Sequence, residues 1–155
     1  MALTPAVSVQ YANLSAVPPV LNDGRDHGKL RIAYGTLVYT GGGQGTAQKC
    51  RLPAGKLRIF PNLSTSRNLA VAIAASTLSI GLGAYVNGAG TPVAADVAAI
   101  VAATAVGAAL VTVTGLAAPV EIESKGGVDV TITWAAANSP ATLAQHTQIA
   151  YTLSG

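Results

Sequence analysis

Charged residues are scarce in this chain. Asp, Glu, Lys and Arg make up 10% of its 155 residues, against about 25% in ordinary soluble domains. So few charges leave wide uncharged surface, which predicts burial against copies of the chain or against a partner. Aromatics are scarce too, with five Tyr, one Trp and one Phe. Small and β-branched residues take their place, and these suit a thin, flat core between sheets. The single cysteine, Cys50, excludes an intramolecular disulfide framework. In QKCRL, alternation places Cys50 and Leu52 on one face and Lys49 and Arg51 on the other, which predicts a buried thiol and two outward cations.

Catalytic signatures are also missing. There is no G-x-S-x-G and no H-E-x-x-H, and the glycine-rich loop 41–46 lacks the Lys-Ser/Thr of a phosphate cradle. His27 and His146 stand far apart with no ligand nearby at metal spacing, and Asp23 and Asp26 sit in a polar turn short of the oxygens a calcium loop needs. Glu121 and Glu123 share a strand face without an aromatic sugar platform beside them, and read as an exposed acidic edge. No enzyme, cofactor or metal is expected. The two Asn-Leu-Ser acceptors, at Asn13 and Asn62, carry no weight without a secretory leader, and MALTPAVSVQYANLSAVPPV has no basic segment followed by an apolar one. The expectation is a chain made and folded in a cytoplasm.

The longest uncharged run is VAAIVAATAVGAALVTVTGLAAPV, residues 97–120. Its nine Val, Ile and Leu residues contribute about −4 kcal/mol to membrane insertion. Its hydroxyls, glycines and proline oppose that, and no Trp/Tyr belt flanks it, so no membrane partner is expected. Thr91-Pro92 resembles a helix start, and Val93, Val97, Ile100, Val101 and Thr104 recur at helical spacing, which predicts a short Ala-rich helical insert. From Leu110 the pattern alternates by two.

Elsewhere the chain reads as eight to ten short strands with turn chemistry between them. Leu30, Ile32 and Tyr34 alternate, as do Leu69, Val71 and Ile73; Leu78, Ile80 and Leu82; Val128, Val130, Ile132 and Trp134; and Thr147, Ile149, Tyr151 and Leu153. QKCRL, KLRIF and residues 120–123 supply further strands. Residues 1–28, with Pro5, Pro18, Pro19 and a polar turn, read as an extended arm, and 29–155 as one all-β domain, an antiparallel sandwich. A chain of this length buries roughly 70% of its unfolded surface, enough for an unstapled core.

Charge is unevenly placed: the chain up to Arg67 carries a net +6 and the remainder −3. The basic residues stand singly, with no Lys/Arg run and no interleaved aromatics, so nucleic acid is not an expected partner.

The stretch PAGKLRIFPNLSTSRNLAVAIAASTLSIGLGAYVNGAGTPVAADVAAIVAA (53–103) and the closing VDVTITWAAANSPATLAQHTQIAYTL resemble small structural proteins of tailed bacteriophages. That resemblance implies a jelly-roll-like sandwich that decorates or cements the capsid surface of the virion. It implies the major capsid protein and sister copies as partners, and capsid geometry points to a trimer. If strands 29–33, 49–51 and 56–58 share one sheet, Arg31, Lys49, Arg51, Lys56 and Arg58 form a positive face toward an acidic shell. The competing expectation is a receptor-binding or fibre-tip domain, which calls for exposed aromatics on loops.

Overall fold

The computed structural model describes residues 30–38, 45–68, 76–106, 111–114, 118–135 and 144–154, with backbone alone for 68, 111–114 and 154. The arm expected at 1–28, the loop at 41–44, the alternating residues 69–74 and the polar turn holding Asp23, Asp26 and His27 lie outside the described residues.

Twelve strands follow in order: β1 Arg31–Val38, β2 Gly45–Leu52, β3 Gly55–Ile59, β4 Thr65–Asn68, β5 Ser76–Leu82, β6 Tyr85–Val86, β7 Pro92–Val93, β8 Asp96–Val106, β9 Val111–Thr114, β10 Val120–Ser124, β11 Val128–Ala135 and β12 Ala144–Ser154. The one helical element among the described residues is a single 3-10 turn, Pro61–Leu63, between β3 and β4.

Sheet one is built around β12. β1 pairs with it over residues 144–151 along one edge, while β4 (145–148) and β3 (151–154) follow one another along the other. β10 and β9 pair in turn with β3 and β4. β3 and β4 are therefore one strand interrupted by the 3-10 turn. The interruption removes a ladder partner from Ala150, which is restored locally: Phe60 N–H donates to Ala150 O at 2.9 Å, and Ala150 N–H donates to Ser64 Oγ at 3.0 Å. Sheet two runs β2-β11-β5-β8.

Counting β3 with β4 and β9 with β10 as single rows leaves eight rows in two sheets. Their chain order is 1-8-3-6 in sheet one and 2-7-4-5 in sheet two, antiparallel throughout. This is the jelly-roll winding, two Greek keys folded into a sandwich. The β6–β7 hairpin sits in the connection from β5 to β8.

The core lies between the sheets. Ile59, Leu57 and Ile149 from sheet one meet Leu52, Leu78, Ile80, Ile100 and Ile132 from sheet two, each at most 2% exposed. Burial of each such side chain contributes about 1.5–3 kcal/mol. The apolar alternation of β1 points the other way: Gly35 and Leu37 turn inward, while Leu30, Ile32 and Tyr34 stay exposed on the outer face.

The Ala-rich helical insert does not form; its residues lie largely in β7 and β8. The helix-like spacing comes from irregular pairing with β5. Leu82 opposes Asp96, Ile80 opposes Val101 and Leu78 opposes Thr104, so each two-residue step on β5 corresponds to three or five on β8. Extra residues in a bulged strand stretch the apolar repeat from two to three or four and so imitate a helix. Within 97–120, residues 97–106, 111–114 and 120 are strand, and no helix among the described residues is long and apolar enough to cross a membrane.

Gly81 allows this bulge to close. A Cβ placed on it would overlap the Asp96 carbonyl oxygen and the Val97 backbone. Gly81→Ala is expected to cost about 3 kcal/mol or more, since backbone rather than a flexible side chain must move. Urea denaturation of the purified variant measures this, and an unchanged midpoint contradicts the close approach.

Candidate functional site

The five basic residues expected on one face are divided by the fold. Lys49 and Arg51 belong to sheet two, Arg31, Lys56 and Arg58 to sheet one. Lys49 departs furthest from the alternation argument. Cys50 pairs with Val130 and Gln48 with Thr131, so Lys49 is the extra residue of a bulge. The bulge shifts the phase of β2, and Ala47, Lys49, Cys50 and Leu52 all become buried.

Lys49 is 0% exposed, and its Nζ donates to the backbone oxygen of Gln145 at 2.7 Å, across the sandwich. Gln145 Nε2 donates to Ser66 Oγ at 3.0 Å, and Ser66 Oγ lies 3.1 Å from Thr147 Oγ1. Desolvation lowers the lysine pKa to about 7, against a smaller opposing influence from Cys50. The Cys50 thiol is pushed up to about 12, chiefly by burial, which makes it a poor nucleophile.

The other cations have partners. Arg51 donates from Nη1 to Asp129 Oδ1 at 3.1 Å and from Nη2 to Gly126 O at 2.8 Å. Arg31 lies in register with Tyr151 and hydrogen-bonds its side chain, while burial raises the Tyr151 pKa. Lys56 and Arg58 point outward from β3, opposite Glu123 and Glu121 of β10, and Arg58 Nε approaches Glu121 Oε1 at 3.5 Å. The acidic edge expected at Glu121 and Glu123 is exposed and forms half of this ladder of opposite charges.

A second group on the outer face of sheet one has no counterpart in the sequence reading. Across β1, β12 and β4 the register places Tyr34 beside Gln148 and Thr65, and Thr36 beside His146 and Arg67. Tyr34 Oη lies 2.9 Å from His146 Nδ1, and Thr36 Oγ1 donates to Tyr34 Oη at 3.0 Å. Tyr34, Thr65, Arg67, His146 and Gln148 line a shallow depression of about 440 Å³. Alternation alone puts His146 and Gln148 on one face of their strand, but the β1–β12 and β12–β4 pairings join residues far apart in the chain, and no local pattern encodes them. Among the described residues no three His, Cys, Asp or Glu side chains gather to hold a metal ion.

No protein-family model and no curated protein matches the sequence. Among solved structures the chain is similar to one in the cyanophage Pam1 capsid asymmetric unit. The TM-score is 0.52 at 16% identity, with 84% of this chain and 91% of that chain covered. The likeness is one of fold. The two coverages also make the chains close in length.

The buried lysine generates a pH signature. Unfolded, Lys49 holds its proton up to its usual 10.5, but folded only to about 7. Between those values the unfolded state binds more protons, so stability rises with pH, by at most about 1.4 kcal/mol per unit. Cys50 acts oppositely above its usual 9.0, because its folded thiol keeps the proton longer. Stability is therefore expected to climb from pH 7 to about pH 9. Lys49→Met removes the slope in that window, although it leaves the Gln145 oxygen without its donor at a cost of about 1 kcal/mol. Denaturation midpoints at pH 7, 8 and 9 for both proteins test this, and a flat wild-type profile contradicts it.

Proposed function

We propose that this protein is a structural component of a phage virion, bound to the outer surface of the capsid, where it decorates or cements the major capsid protein. The observation that carries the reading is the jelly-roll likeness to a chain of similar length from a phage capsid asymmetric unit. Two features of the molecule support it. Among the described residues β1 pairs with β12 alone and forms an edge of its sheet, and Leu30, Ile32 and Val38 on and beside it are each more than half exposed. An exposed apolar edge strand is a template for pairing with another chain. The low charge content leaves uncharged area for contacts with neighbouring subunits or sister copies.

A cement protein must add binding energy between shell subunits that the packaged genome pushes apart. With the basic residues divided between sheets and partnered, apolar edge contact rather than a positive face is the better source of that energy. Purified protein mixed with heads stripped of accessory proteins is expected to restore ordered density on their outer surface. Ile32→Asp places a charge on the edge and is expected to lower occupancy at least tenfold, while Arg58→Glu has a smaller, salt-dependent effect. No added density with the wild-type protein counts against the reading.

A further inference from the structure

We propose that the depression on the outer face of sheet one is a binding site for a saccharide bearing a carboxylate group. The argument begins with a hydrogen-bond chain. Thr36 Oγ1 donates to Tyr34 Oη, and His146 Nδ1 is within hydrogen-bond reach of both hydroxyls, 2.9 Å from Tyr34 Oη and 3.0 Å from Thr36 Oγ1. Held through Nδ1, the imidazole keeps Nε2 as its remaining polar atom for a ligand.

The same hydroxyl sets the two rings side by side. Their centroids are 6.3 Å apart with planes inclined by 18°. The rings are therefore offset from one another with their planes nearly parallel. The result is a flat aromatic surface held by hydrogen bonds, with Tyr34 40% exposed. Flat aromatic surface beside polar groups suits a ligand with C–H faces and a rim of hydroxyls.

Arg67 supplies the charge. It is exposed, in register with His146, and no Asp or Glu is among the described residues that line the depression. A guanidinium fork matches a carboxylate with two parallel hydrogen bonds. Gln148 and Thr65 add neutral donors and acceptors for sugar hydroxyls. With one arginine among the described lining residues, the site suits a single carboxylate rather than a run of phosphates.

The proposal does not rest on capsid binding and is tested on the free, full-length protein. NMR titrations with D-glucuronate, D-glucose and acetate follow the His146 imidazole and the Arg67 side chain. Glucuronate is expected to bind at least tenfold more tightly than either glucose or acetate. Arg67→Ala and Tyr34→Phe are each expected to weaken it about tenfold, and Arg58→Glu, elsewhere on the same face, to leave it unchanged. Equal affinity for acetate reduces the site to a simple anion contact, and equal affinity for glucose removes the carboxylate. Either result, the absence of glucuronate binding, or full binding by folded Arg67→Ala overturns the proposal.

Discussion

Backbone hydrogen bonds along both edges of β12 hold sheet one together, and much of the molecule depends on them. β1 runs along one edge and the interrupted β3–β4 row along the other. Because a strand alternates faces with a period of two, the same eleven residues serve both sides of the sheet. Gln145, Thr147, Ile149 and Tyr151 turn toward the core, while His146 and Gln148 turn outward. The lysine that crosses the sandwich ends on a β12 carbonyl, and the outer depression is lined by β12 side chains. Withdrawing this strand would remove the partner of β1 among the described residues and leave both features without a floor.

The fold class was legible wherever one residue of a strand faces one residue of its partner. β11, in unbroken register with β5, is the clearest case: Val128, Val130, Ile132 and Trp134 alternate in sequence and are all buried. Period-two reading fails where that correspondence fails. In β2 a single extra residue turns Lys49 inward, and in β8 several extra residues make a strand look like a helix. Both are bulges, set by the register of a partner far away in the chain. The same limit hid the outer depression. Tyr34, Arg67 and His146 are ordinary surface residues in their own segments, and only the pairing of β1, β12 and β4 brings them together.

Burying Lys49 carries a desolvation cost that hydrophobic replacement would avoid. The structure reduces that cost in two ways. The amine loses its charge near neutral pH, and it keeps a strong hydrogen bond at 2.7 Å. Stacked sheets stand about 10 Å apart, a gap that a lysine rooted in one backbone can cross to the other when small residues surround it. The bond links β2 to β12, hence sheet two to sheet one, and the Ser66, Thr147 and Gln145 side chains beside it are all buried. A polar link of this kind fixes how the sheets sit on each other more narrowly than apolar contact does.

The division of the cations bears on how the outer surface is used. A net +6 in the first part of the chain suggests a positive face, yet the fold uses most of that charge internally or opposite acids. Lys49 is enclosed, Arg31 meets Tyr151, Arg51 meets Asp129, and Lys56 and Arg58 stand across from Glu123 and Glu121. Among the described residues, the outer face of sheet one therefore divides into a self-compensating ladder at one end and a donor-rich hollow without carboxylates at the other. Along the first, attraction for a charged partner is largely cancelled before contact. At the second, Arg67 keeps a field that no acid among the described lining residues offsets, and the rings of Tyr34 and His146 stand beside it. Specific recognition of a small acidic ligand fits the second end, and broad adhesion fits the apolar edge of β1.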